Sequence, residues 1–376
     1  MLTEEHSILS DAAKAWVANK APVTALRRLR DAGSWATGYD AASWADMAAM
    51  GWAGVIIPEE YGGADFGYRG LGLVLQETGR TLVASPLHTT LTAAGALLLG
   101  GTDTQKQTWL PRIATGEIVA ALAVDETAHH APERTALAAT RDGDSYVLNG
   151  AKRFIPDAAG AALLVVAARL HGAPSDTAGL ALFLVPRETP GLAAAPLHAV
   201  DNRAVADLTF TNVRVGADAL LGAPGEGWAI MEPALDRARA SLAAEMLGTA
   251  GQAFDITLDY LKTRTQFGQV IGTFQALQHR AAKMFAELEF TRSAVEAALE
   301  AIDAGAPDLP RLASLAKARA NDTLHLVSNE MVQMHGGIGM TDAFDAGLYM
   351  KRARVAEALY GSSSYHRDRY ARLGGY

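Results

Sequence analysis

Arg264, Phe267 and Gln275 fall within one short stretch, RTQFGQVIGTFQ, between two long helical patterns. A guanidinium, an aromatic ring and an amide so placed can hold a phosphate and a flat ring, although as structure alone the stretch is a helix–turn–helix joint. In QMHGGIGM, Gly336, Gly337 and Gly339 allow a ligand close to the backbone, and His335 beside them reads as a base or, more simply, as a packing residue. His129 and His130 stand next to Asp125 and Glu126 and raise the idea of a metal site. Adjacent histidines point apart on a strand and the helical i, i+4 spacing is missing, so they read as solvated loop residues and no metal is expected. The chain has no cysteine, which removes disulfides, thiolate metal sites and a thiol nucleophile, so redox chemistry must be borrowed from a cofactor. No nucleophile elbow, Walker A loop or strand-linked GxGxxG is present.

The elements that must position these residues fall into three regimes. The 376 residues are 49% hydrophobic and 20% charged, with a net charge of -8 and a pI near 5.7. This composition suits several packed subdomains, and it argues against nucleic-acid or anionic-membrane partners. The opening residues do not read as a signal peptide and no run is long enough to span a membrane, so a cytoplasmic protein is expected. Residues 1–116 carry a helical period, with Ile8, Ala12, Ala15 and Trp16 expected on one face and PEEYGGADFG as a loop. Residues 117–223 break into short Val-, Leu-, Thr- and Phe-rich runs separated by turn residues, which predicts a mostly antiparallel barrel or sandwich. In residues 224–376 apolar residues recur every three or four positions, from Trp228 to Tyr260, Leu277 to Ile302 and Leu312 to Met334, which predicts a bundle of long helices.

In this order and spacing, the segments resemble the acyl-CoA dehydrogenase family of flavoproteins over the whole chain. IPEEYGGA is similar to the family's amino-terminal loop, YVLNGAKRFI to its central strand pair, RTQFGQVIGTFQALQH to its flavin-nucleotide motif and QMHGGIGM to its second nucleotide loop. The resemblance implies an α+β fold of helical domain, β-barrel domain and four-helix bundle, assembled as a dimer of dimers. It implies FAD as cofactor, with Arg264, Phe267 and Gln275 reaching a neighbouring subunit's FAD and Gln333, Gly337, Ser362 and Phe154 also touching the cofactor. It further implies an acyl-CoA substrate near Asp236 and Arg239, and an acceptor of the electron-transfer flavoprotein type.

The sequence departs from the family pattern at the flavin ring and at the base. AVDETAHHAPE replaces the family's Thr-Glu-Pro and Gly-Ser-Asp turn and puts Asp125 at the ring-facing threonine. Phe154-Ile155-Pro156 replaces Trp-Ile-Thr, and proline offers neither hydroxyl nor N–H. Family chemistry needs a carboxylate to take the proton beside the thioester. At the position of that Glu stands Tyr360, whose phenol has an ordinary pKa near 10, and at the alternative position stands Ala238. Glu245 shares a helix face with Ala238 but lies roughly 10 Å further along, and Asp236 points roughly 200° round the helix. Glu357, one turn before Tyr360, is the remaining candidate.

These departures lead to one expectation: the subunit lacking the catalytic Glu in an α2β2 acyl-CoA dehydrogenase, resembling the bacterial steroid side-chain enzymes, with FAD shared across the interface and substoichiometric in the isolated chain. Two other readings stand beside it. One is an autonomous flavin enzyme with an unrecognised base or monooxygenase-like chemistry, and the other is a structural homologue without chemistry.

Overall fold

The computed structural model describes residues 3–376. Helices α1 (Glu4–Lys20), α2 (Val23–Asp31), α3 (Ala41–Ala49), α4 (Gly67–Arg80), α5 (Leu87–Gly100) and α6 (Asp103–Ala114) come first. Strands β1 (Ala120–Ala123), β2 (Ala138–Asp142), β3 (Ser145–Pro156), β4 (Leu163–Arg169), β5 (Leu180–Pro186), β6 (Leu192–His198), β7 (Ala204–Gly216) and β8 (Leu220–Leu221) follow. After them run α7 (Trp228–Thr263), a small hairpin of β9 (Thr265–Gln266) and β10 (Gln269–Val270), then α8 (Gln275–Asp303), α9 (Leu309–His335), α10 (Ala346–Ala358) and α11 (Ser363–Leu373). The expected succession of helices, strands and long helices is therefore observed. On α1 the buried face is Ala13, Trp16 and Val17, and Ile8, expected there, is exposed.

The chain divides into two compact units. One comprises Arg28–Gly67 and Ala84–Ala238 and holds the sheet, in the order β6-β7-β3-β2-β4-β5-β8 with β1 beside β4. Its end strands β6 and β8 do not pair with each other, so the sheet is open where a barrel was expected. The ends are poor templates for closure, since β8 has two residues and β6 carries Pro196, which has no N–H to donate. Pairing is mostly antiparallel, but β1 runs parallel to β4. The expected strand pair in YVLNGAKRFI is a single 12-residue strand, β3. Its turn-like Asn149-Gly150 falls where the register against β7 shifts, and a second shift follows Lys152. β4 is buried along its whole length, and α5, buried from Leu87 to Leu97, packs over β1.

The second unit comprises the chain up to Arg27, Tyr68–Val83 and Arg239–Tyr376. Here α9 is the central helix, packed against α8, α10 and α11. Helices α4 and α7 approach at backbone level: a Cβ on Gly79 would stand 2.2 Å from the Glu245 carbonyl oxygen, and one on Gly248 1.9 Å from that of Gln76. Only glycine fits at those two positions. Asp303 at the end of α8 accepts hydrogen bonds from the amides of Tyr68 (2.7 Å) and Arg69 (2.9 Å), which satisfies free N–H groups at the start of α4.

Candidate functional site

In the helical unit, the joint expected after α7 is a hairpin. Phe267 and Gly268 at its tip both have positive φ (53° and 77°), the combination a tight two-residue turn requires. Phe267 is 90% exposed, an unusual place for a large aromatic side chain. Arg264 and Gln275, at the two ends of the hairpin, are exposed as well. The glycine loop begins where α9 ends. Gln333 is exposed, and a Cβ placed on Gly336 or Gly337 would meet nothing within 4 Å. His335 connects the two motifs, its ring lying 4.2 Å from Tyr260 and 4.4 Å from Phe344. Tyr260 also donates its hydroxyl to the His335 carbonyl (3.4 Å) and accepts from the amide of Arg264 (2.8 Å). His335 is thus a packing residue whose Nδ1 donates to Met331 O at 2.7 Å, while its buried Nε2 has no partner among the described residues. Burial lowers its pKa, so the imidazole is held neutral.

In the sheet unit, Asp125, Phe154 and Pro156 lie around one corner. The Asp125 carbonyl accepts from the amide of Arg153 (2.8 Å), and Asp207 accepts from the amide of Phe154 (3.0 Å) and from the Arg153 guanidinium. Phe154 itself has a φ of 55° and is half exposed, and Pro156 is paired opposite Val205. The side chain of His130, expected to be a solvated loop residue, is shielded from solvent. Its Nδ1 lies 2.9 and 3.0 Å from the two carboxylate oxygens of Asp125. Glu126 is fixed from the other side, accepting from Lys152 Nζ (2.7 Å) and from the amides of Ala136 and Leu137 (both 2.9 Å). Burial lowers the Lys152 pKa, an effect opposed by the Glu126 carboxylate. No group of three or more His, Asp or Glu side chains among the described residues is placed to hold a metal.

None of the positions where a base would stand presents an unengaged carboxylate. Tyr360 is buried with a φ of 57°, and its carbonyl accepts from His366 Nε2 at 3.1 Å. The next carbonyl, of Gly361, accepts from Lys317 Nζ (3.2 Å), which also donates to Asn321 Oδ1 (2.6 Å) and Ala356 O (2.9 Å). Lys317 is fully buried, which pushes its pKa well down, and the three acceptors match the three N–H bonds of an ammonium. Ser362 follows, exposed, and caps α11 through its hydroxyl. Ala238 is buried, and its carbonyl lies 3.0 Å from His88 Nε2. Glu245 is engaged by Arg352, and Glu357 by Arg354 (2.7 Å) and His325 (3.3 Å). Asp236 is buried. Arg239 is fully buried too, donating to the Tyr365 hydroxyl (3.2 Å) beside the face of that ring. Lys317, His366 and Tyr365 had no role in the sequence reading. No motif marks them, and only the meeting of α7, α9 and α11 shows what they hold.

Three profiles match the chain in succession: the acyl-CoA dehydrogenase N-terminal domain over residues 3–117, the middle domain over 125–213 and the C-terminal domain over 225–374. Acryloyl-CoA reductase (NADH) of Anaerotignum propionicum is 32% identical, covering 89% of this chain and 86% of its own. The human mitochondrial short-chain specific acyl-CoA dehydrogenase is 30% identical, over 88% and 81%. Among solved structures, a variant of the Tcur3481-Tcur3483 steroid acyl-CoA dehydrogenase superposes with a TM-score of 0.89 at 32% identity, covering 99% of this chain and 98% of that one. A structure titled for the electron transferring flavoprotein of Acidaminococcus fermentans superposes with a TM-score of 0.91 at 30% identity, with the same coverage. No helix among the described residues is long and apolar enough to cross a membrane.

Proposed function

We propose that this chain, which belongs to the acyl-CoA dehydrogenase family of FAD-dependent oxidoreductases, is the subunit without a catalytic base in a heteromeric acyl-CoA dehydrogenase. The observation that carries this reading is the state of the base positions. Tyr360 and Ala238 offer no carboxylate, and two of the acids weighed in their place, Glu245 and Glu357, are tied to arginines. A carboxylate held by a guanidinium is oriented toward that partner with its lone pairs engaged there, which leaves it badly placed to take a proton from a substrate carbon. Similarity to a steroid acyl-CoA dehydrogenase built from two named components is consistent with a sibling subunit supplying the Glu.

FAD, when bound, supplies the acceptor for the hydride that leaves the acyl chain. Exposed Arg264, Phe267, Gln275 and Gln333 and the unobstructed Gly337 fit its nucleotide end, with Ser362 at the start of α11 as a further donor. Arg264 would grip a phosphate oxygen, Phe267 would lie against a flat base, and Gly337 would let a backbone N–H approach. Because these groups point outward from the hairpin and loop, the chain can lend them to a neighbouring subunit. Asp236 and Arg239 are the residues assigned to the acyl-CoA side.

The test is to express the chain alone and together with a sibling subunit carrying Glu at the position of Tyr360. Acyl-CoA-dependent bleaching of flavin absorbance is expected only from the co-assembled protein. A yellow, active homomer would refute the assignment and favour an autonomous enzyme.

A further inference from the structure

We infer that the Asp125–His130 pair closes the ring end of this chain's own flavin position, so that the subunit can bind a nucleotide but seats no isoalloxazine ring. This rests on the functional reading above together with the family resemblance, which implies a flavin ring facing Asp125, Phe154 and Pro156, and it adds the device that would keep the ring out.

The edge of an isoalloxazine is lined largely with acceptor atoms and needs N–H or O–H donors opposite it. At this corner three positions of the strand, Arg153, Phe154 and Pro156, offer no amide to a ligand. The amide of Arg153 is bonded to Asp125 O, the amide of Phe154 is bonded to Asp207, and Pro156 has no amide hydrogen. Asp125 brings two further acceptors, and His130 Nδ1 lies within hydrogen-bond distance of both. The side chain of His130 is 2% exposed against 20% for Asp125, so the imidazole fills space behind the carboxylate instead of presenting itself to a ligand. A carboxylate with both oxygens within hydrogen-bond distance of one imidazole nitrogen is held in its orientation.

The loop cannot readily swing aside, because both flanks are pinned. Glu126 is held by Lys152 and by the amides of Ala136 and Leu137, while the buried Arg169 donates to the carbonyls of Glu133 (3.0 Å) and Thr135 (2.7 Å). An Asp and a His five residues apart thus make a rigid, donor-poor surface in place of a flexible turn.

The experiment compares binding of FAD and of ADP, which shares only the nucleotide end, by calorimetry on the purified chain. If the ring contributes nothing, the two affinities should agree within about threefold. The double variant Asp125→Thr/His130→Ser should then favour FAD over ADP by about tenfold or more. His130→Asn, which keeps a side-chain amide near Asp125, serves as a second variant and should give a smaller rise in the same direction. Since the readout is a ratio within one protein, general loss of stability does not mimic it. Wild-type protein that binds FAD about a hundredfold more tightly than ADP would overturn the inference, as would variants that leave the ratio unchanged. If neither nucleotide binds, alone or in the co-assembled protein, the functional reading itself fails and the inference falls with it.

Discussion

Arg352 on α10 holds Glu245 on α7 with two nitrogens on one carboxylate oxygen, Nε at 3.0 Å and Nη2 at 2.9 Å. Both side chains are buried, so the pair belongs to the packing of the bundle and Glu245 is not a spare acid. Removing one partner strands a buried charge, which typically costs about 3–5 kcal/mol, whereas removing both costs much less. Glu245→Gln and Arg352→Met should each lower the denaturant midpoint sharply, and Glu245→Leu/Arg352→Met should recover most of the loss. A double variant as unstable as the sum of the singles would show that the two side chains act independently.

Lys317 should prove indispensable to the turn that carries Tyr360. Lys317→Met removes the ammonium donors from Asn321 Oδ1, Ala356 O and Gly361 O; the Gly361 carbonyl keeps Asn321 Nδ2 (3.3 Å), and each acceptor left unsatisfied costs about 1–3 kcal/mol. Hydrogen exchange should then show faster opening between Ala358 and Ser364 than elsewhere in the bundle. Uniform destabilisation with no local change at that turn would contradict the role.

Stability should depend on His335 below neutral pH. The folded chain holds the imidazole neutral because burial lowers its pKa, while the unfolded chain takes up a proton near pH 6.5. The His335 contribution is therefore complete above that value and is lost progressively as the pH falls from it toward the lower folded pKa. His335→Phe keeps an aromatic ring between Tyr260 and Phe344 and removes the titration. The gap in melting temperature between variant and wild type should move in the variant's favour from pH 7.5 to pH 5 (about 1 °C or more). A constant gap would remove His335 from the acid response.

In the co-assembled protein, Arg264→Ala should reduce flavin retained after gel filtration by about tenfold in affinity, the loss expected for a charge-assisted phosphate contact. Unchanged occupancy would mean that the hairpin does not reach the cofactor.

Tyr360→Glu alone should not create an active homomer. The substitution returns a carboxylate to the turn, yet Asp125, His130 and Pro156 remain at the sheet corner, and hydride transfer requires reacting atoms about 3–3.5 Å apart. More activity is expected when Asp125→Thr and Pro156→Thr are added. Robust anaerobic bleaching of flavin by acyl-CoA with the single variant would show that the corner is competent as it stands.

The sequence by itself determined the succession of helical, sheet and helical regions, because apolar period is a local property that each segment carries. It also determined which groups are missing: no contact made elsewhere can turn Tyr360 or Ala238 into a carboxylate or give Pro156 a hydroxyl. Tertiary structure decided what the remaining groups do. Glu245 and Arg352 are far apart in the chain, as are Lys317 and Gly361, and whether a charge is free or paired depends on which helix faces arrive together. The open sheet was equally out of reach, since closure depends on whether β6 and β8 meet, which neither strand's own pattern encodes. The shielding of the His130 side chain shows the same limit at short range. Asp125 and His130 are only five residues apart, but the loop's path, fixed by Glu126, Lys152 and Arg169, decides that the imidazole turns inward to the carboxylate and away from water.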